Sequence, residues 1–195
     1  MPMEVSERQK EIINAAGKIL TQAGLSGLTT KNLAKEMEFS EAAIYRHFDS
    51  KEEIILALLG FLKSNMDERL GRIYMVDTSA QQKFQAIFQS QFEFFRDNPH
   101  FVVAVFSDGL LEESYKINQA ILDLMQVKMK YLTPLVMQGQ QSGTFTQAIT
   151  TEELVHIIMG SFRLQMFKWR IANFQFDIIR QGKNMIAALL TLMAS

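Results

Sequence analysis

Apolar residues recur along this chain at intervals of three and four, as in Ile12, Ala16, Ile19 and Ala23 or in Phe84, Phe88, Phe92 and Phe95. That period gives an amphipathic helix with one face turned to a core. No segment keeps the alternation of a half-buried strand, and no Asn-Gly or Asp-Gly pair joins two β-branched runs. The pattern predicts an all-α chain of about nine helices, short ones first and a bundle of long ones after them. The first runs from Ser6, as N-cap, to Ala23, with Gly24 as a left-handed stop. The second follows Thr29-Thr30 and ends near Met37, and Ser40 caps a third that reaches His47. A long helix opens at Lys51 and continues past Met66 towards Tyr74, its Glu52-Glu53 pair suiting the positive end of the helix dipole. Asp77-Thr78-Ser79 mark a break before a helix from Ala80 to Arg96. Asn98-Pro99 forces another boundary. Residues 99 to 108 then make a short apolar helix and 112 to 141 a long one that Pro134 is expected to kink. Gly139 to Gly143 read as a loop. Thr150-Thr151-Glu152-Glu153 start a helix to Asn173, and the last helix spans Asp177 to Met193.

Composition narrows the class. Nearly half of the 195 residues are apolar (48%), too many for a disordered chain. The longest uninterrupted apolar stretch, Ile54 to Leu62, is far shorter than the ~20 residues of a membrane span, so no membrane association is expected. Met1-Pro2-Met3-Glu4 carries no charged start followed by an apolar run, and no signal peptide is expected. The absence of cysteine excludes disulfides and thiolate chemistry and fits a reducing, cytoplasmic setting. His47, His100 and His156 are widely scattered. No nucleophile stands beside a histidine, no Gly-rich loop precedes a helix, and no carboxylate set has metal-ligand spacing. Neither catalysis, a cofactor nor a metal site is expected. The nearest acidic group, Asp108-Gly109 with Glu112-Glu113, reads as a helix-capping loop.

The informative stretch runs from Leu28 to Glu53. Two helices of about two turns joined by a short turn make the helix-turn-helix format. Leu33, Ala34 and Met37 on the first and Ile44 and Phe48 on the second face a platform of Ile12, Ile13, Ala16 and Leu20. Glu41, Ala42, Ala43, Tyr45, Arg46 and His47 are left facing outward. Small alanines let a helix approach the floor of a major groove, while Tyr45, His47 and Lys51 carry donors suited to phosphate oxygens. A solvated packing role is the alternative for Tyr45. Arg46 suits a base edge or a phosphate equally. Glu41 suits either a cytosine amino group or the helix dipole.

These residues resemble the DNA-binding domain of the TetR/AcrR family of bacterial transcriptional regulators. The matching elements are Gly24, Leu28-Thr29-Thr30, Leu33-Ala34, Ser40, Ile44-Tyr45-Arg46-His47-Phe48 and Lys51-Glu52-Glu53, within residues 8 to 60. The resemblance implies a helix-turn-helix domain over residues 1–51, a connecting helix to about residue 75, and an effector-binding and dimerisation domain over 52–195. It implies phosphate contacts from Thr30, Tyr45, His47 and Lys51, with Lys31, Ala42 and Arg46 nearest the base edges. Family members place glycine at the turn position held here by Glu38. A non-glycine residue with positive φ costs of order 1 kcal/mol, so the turn is either strained or differently shaped. Residues 1 to 51 hold seven Lys/Arg and seven Asp/Glu. With no net field to rely on, the positive groups must be sorted to one face, Lys31, Arg46 and Lys51 towards the groove and Glu4, Glu7 and Glu11 away from it.

The remainder is rich in phenylalanine and methionine. Most such residues at helical spacing are core, but in a one-component regulator a subset lines an effector cavity. The candidates are Phe88, Phe92, Phe95, Met125, Met129, Met159, Phe162 and Met166, implying a lipophilic ligand, with His156, Arg163 and Gln165 to orient it. Residues 151 to 173 and 177 to 193 are apolar around much of their girth. That predicts a homodimer through the last two helices and, by two-fold symmetry, a palindromic double-stranded operator. The expected function is a repressor released by a small lipophilic effector. The alternative is a DNA-binding adaptor that acts through a protein partner without one.

Overall fold

The computed structural model describes residues 6–106 and 114–194. Among these residues there are nine helices and no strand, extended backbone pairing only in an isolated antiparallel bridge between Phe145 and Ala194. The helices are α1 (Glu7–Gly27), α2 (Thr30–Glu36), α3 (Glu41–Tyr45), α4 (Lys51–Met75), α5 (Ala80–Asp97), α6 (Pro99–Val105), α7 (Tyr115–Gln141), α8 (Thr151–Ile171) and α9 (Ile178–Met193). The all-α class and the order of elements agree with the periodicity. The acidic group at Asp108, Glu112 and Glu113 lies outside the described residues, as does the expected start of α7 at residue 112.

Local chemistry sets most of the starts. Ser6 Oγ accepts from the Gln9 N–H at 3.2 Å while the Gln9 side chain accepts from the Ser6 N–H at 3.0 Å, a reciprocal cap. Thr150 and Glu153 repeat that arrangement at α8. Asp177 Oδ1 accepts from the N–H groups of Ile179 and Arg180 at the start of α9. Gly24 takes φ 65° and breaks the helical dihedrals inside α1, so the last turn, to Gly27, is offset from the helix before it. α3 and α6 end earlier than expected, at Tyr45 and Val105. α7 carries Pro134 within its length.

The helices group into two compact units. The N-terminal unit is the described part of Met1–Ser64 and Asn98–Leu124; the C-terminal unit is Asn65–Asp97 and Met125–Ser195. α4 and α7 each contribute to both. In the N-terminal unit Ile12, Ala16, Leu20, Leu33, Ile44 and Phe48 are buried, and each of the Ile, Leu and Phe side chains contributes about 1.5–3 kcal/mol on leaving water. In the C-terminal unit the core is aromatic. Phe162 of α8 lies 5.6 Å from Phe88, 5.3 Å from Phe92 and 6.3 Å from Phe95, ring centre to ring centre. α9 closes on α5 at Gly182, where a Cβ would fall 2.5 Å from the Phe92 ring.

Candidate functional site

The turn between α2 and α3 aims the second helix of the motif. The Phe39 N–H donates to the Ala34 carbonyl at 2.8 Å and the Glu38 N–H to that of Lys35 at 3.3 Å, the paired bonds of a Schellman ending. That ending needs a left-handed residue, and Glu38 supplies it with φ 56°. The departure from glycine is therefore met by strain within the expected turn shape. Thr29 caps α2 by accepting from Asn32, and Ser40 caps α3 by accepting from Ala43. Ile44 and Phe48, both buried, pin α3 to the platform beneath. Ser50 Oγ accepts from the Glu53 N–H and starts α4 at Lys51.

This leaves one polar face. Lys31, Glu41, Ala42, Tyr45 and Arg46 are exposed, and Thr30, His47 and Lys51 are half-buried beside them. The Thr30 hydroxyl donates to Glu41 Oε2 at 3.0 Å and lies 3.4 Å from the Tyr45 hydroxyl, which brings the start of α2 against α3. Glu41 thus holds the hydroxyl of Thr30 in the free chain. The Gln9 amide donates to the His47 carbonyl at 3.4 Å, tying α1 to the end of the motif.

The charges are sorted by ion pairs. Arg8 pairs with Glu11, Lys10 with Glu7 at 2.6 Å, and Lys18 with Glu36 at 3.3 Å. Among the described residues Lys31, Lys35 and Arg46 form none. A domain without net charge can therefore present exposed positive groups on its α2–α3 side, because most of its α1 cations are already matched. Such a face suits the phosphates of a duplex.

The sequence candidates in the C-terminal unit divide in two. Phe88, Phe92, Phe95, Phe162 and Met166 are buried together, with Met159 half-buried on α8. Met125, Met129, His156 and Arg163 instead lie on exposed surface of the single chain, and Gln165 is half-buried. The reason on α7 is helical phase. Leu124, Lys128, Leu132 and Leu135 form the buried stripe, so Met125 and Met129, one residue further on, are turned about 100° away. Two polar residues not singled out from the sequence, Gln91 and Lys128, are buried near the rings, and a third, Arg69, is half-buried and donates to Gln91. Their signal is a polar residue at four-residue spacing inside an apolar stripe, as in Ile87-Gln91-Phe95 and Leu124-Lys128-Leu132.

Comparison with known proteins agrees with this geometry. Residues 12–58 match the model for bacterial regulatory proteins of the tetR family, and residues 59–192 match that for the C-terminal region of YsiA-like proteins. The nucleoid occlusion factor SlmA of Haemophilus influenzae is 26% identical over 163 residues, 81% of this chain and 75% of that one. The SlmA of Mannheimia succiniciproducens is 27% identical over 141 residues, and there the matched part is 71% of this chain but 65% of the relative. Among solved structures, the transcriptional regulator FadR of Bacillus subtilis in complex with stearoyl-CoA superposes with a TM-score of 0.82 at 17% identity, covering 94% of this chain and 98% of that one. The ketosteroid transcriptional regulator KstR2 of Mycobacterium tuberculosis gives 0.81 at 20% identity, with 98% and 97% covered. The helix-turn-helix geometry and both family matches lead to one conclusion: the chain belongs to the TetR family of bacterial regulatory proteins and is a DNA-binding transcriptional regulator.

Proposed function

We propose that the protein is a cytoplasmic homodimeric repressor that leaves its operator when a small lipophilic effector occupies the C-terminal unit. The observation that carries DNA recognition is the exposed face of Lys31, Ala42, Tyr45 and Arg46 with Thr30, His47 and Lys51 at its edge. Thr30, Tyr45, His47 and Lys51 take phosphates; Lys31, Ala42 and Arg46 approach base edges, with Glu41 beside them.

Dimerisation through α8 and α9 is supported by what the single chain leaves uncovered. Ile157, Leu164 and Ile171 are exposed at seven-residue spacing on α8, and Leu192 is exposed on α9. A Cβ built on Gly160, between the first two of these, meets nothing within 4 Å, so a second helix can approach closely. Covering this strip with a second copy sets two recognition helices about 34–36 Å apart, or a multiple of that, and requires a palindromic operator.

Effector control rests on the ring cluster around Phe162. α4 and α7 run unbroken from one unit into the other, so a ligand that favours one position of either helix in the C-terminal unit biases the other unit. A hundredfold preference for the released arrangement corresponds to about 2.7 kcal/mol. The SlmA relatives favour a second reading, an adaptor that binds DNA and acts through a protein partner. Selection from a random duplex pool, followed by titration with whatever small molecule co-purifies, separates the two. The repressor reading expects a palindrome whose binding weakens with the compound. A palindrome indifferent to every co-purifying compound overturns it in favour of the adaptor.

A further inference from the structure

The C-terminal unit buries a cation and an amide donor that, among the described residues, meet no carboxylate. Lys128 reaches inward from α7, 7% exposed, and sets Nζ 3.6 Å from the centre of the Phe162 ring. Among the described residues it has no hydrogen-bond acceptor and no carboxylate. A ring face is a weak partner for a buried ammonium group compared with an anion. Gln91, on α5 and fully buried, has the complementary problem. Its Oε1 accepts from Arg69 Nη2 at 3.1 Å, which fixes the amide, because turning it over would set an NH2 group against a guanidinium that only donates. Its Nε2 is left buried with no acceptor among the described residues. Arg69 itself is held by neutral groups: Nε donates to Asn65 Oδ1 at 2.7 Å, Nη1 to Ser90 Oγ at 2.7 Å, and the guanidinium rests 4.4 Å over Phe94.

We propose that Lys128, Gln91 and Arg69 form an anion-recognition site that takes the acidic head of an amphiphilic effector, while its apolar tail packs against the phenylalanine rings. The proposal rests on the effector reading above and gives that effector a chemical class. A carboxylate or a phosphate supplies the charge Lys128 lacks and the acceptor Gln91 Nε2 lacks. A neutral alcohol of equal length supplies no charge. Four helices converge here: Arg69 from α4, Gln91 from α5, Lys128 from α7 and Phe162 from α8. Burial, helped by the nearby Arg69 charge, pulls the Lys128 amine down to about 7. Arg69 is its charged neighbour, itself lowered by burial to about 10, whereas Gln91 and Phe162 do not titrate. A bound anion favours the protonated amine, so anion binding takes up a proton near pH 8 and tightens as pH falls towards 6.5.

The test uses the full chain with decanoate, decyl phosphate and decanol as probes, by titration calorimetry at pH 6.5 and 8. An acidic head should bind at least tenfold more tightly than decanol at pH 6.5, with proton uptake at pH 8. The preferred head, carboxylate or phosphate, identifies which the site accommodates. Lys128→Met should bring acid and alcohol within about twofold while decanol binding persists, and Lys128→Arg should restore the preference. Equal affinity for acid and alcohol in the unsubstituted protein overturns the anion site and leaves the effector reading standing. So does a preference that survives in Lys128→Met. If none of the three probes binds, the effector reading fails and the anion site fails with it.

Discussion

In the N-terminal unit Lys31, Tyr45 and Arg46 stand in solvent at the rim of a small aliphatic core, whereas in the C-terminal unit Gln91 and Lys128 are buried beside a ring cluster, with Arg69 half-buried against Gln91. On the proposed function the contrast follows from the two ligands. A duplex is a large, rigid polyanion that must be met from outside by groups whose spacing is set by one short helix. A small effector must be enclosed, and its polar end has to be met by groups that several separate helices deliver. In the first unit ion pairs match the cations of α1, away from the α2–α3 face proposed to meet DNA. In the second, a buried amine and a buried amide donor lack acceptors among the described residues, which on the proposed reading a ligand supplies.

Replacing Leu164 by Asp is expected to have the largest effect. It places a charge in the apolar strip of α8, so the protein should sediment as a monomer at micromolar concentration. Operator affinity should fall by roughly a hundredfold, because two linked half-site contacts become one. A dimer that persists moves the interface elsewhere.

Lys51→Ala sharpens the account of the first unit. Binding should weaken about equally across sequences, and the salt dependence should flatten by roughly one unit of slope. An unchanged slope would remove Lys51 from the phosphate set.

Glu38→Gly relieves the left-handed strain of the turn and should stabilise the N-terminal unit by about 1 kcal/mol, read as a shift of its denaturation midpoint. Operator affinity should be unchanged within about twofold, since the turn shape is already the one glycine would adopt.

The pH limbs separate the units. His100 of α6 packs its ring against Gly17 of α1, and burial lowers it to about 4. Between its ordinary value and that one the unfolded chain holds the proton and the native protein does not. Stability should therefore fall as pH drops from 6.5 towards 4, and His100→Gln should flatten that limb. Lys128 acts likewise at higher pH. Stability of the unliganded protein should rise from about pH 7 towards 10.5, and Lys128→Met should remove the rise.

The fold was legible because each element carried its own cue. Ser6, Thr29, Ser40, Thr150 and Asp177 all stand at helix starts, and Gly24 at a left-handed break. The helix-turn-helix was legible for the same reason, since its residues are contiguous and their exposure follows from one helical phase. The polar residues beside the rings were not. Arg69, Gln91 and Lys128 lie far apart along the chain, and each looks alone like a solvated side chain on an amphipathic helix. Only the packing of α4, α5, α7 and α8 shows them meeting beside the rings. Met125 and Met129 illustrate the converse, because composition favours a pocket while a single step of phase puts them outside.

The most direct test of effector control through the C-terminal unit is fluorescence anisotropy of a labelled operator, selected from a random duplex pool, with and without saturating decanoate or decyl phosphate. The account predicts that operator affinity of the unsubstituted dimer falls by about a hundredfold with the acidic amphiphile, and that Lys128→Met needs roughly tenfold more of it for the same release. An operator affinity that does not move when the calorimeter shows the amphiphile bound would contradict it.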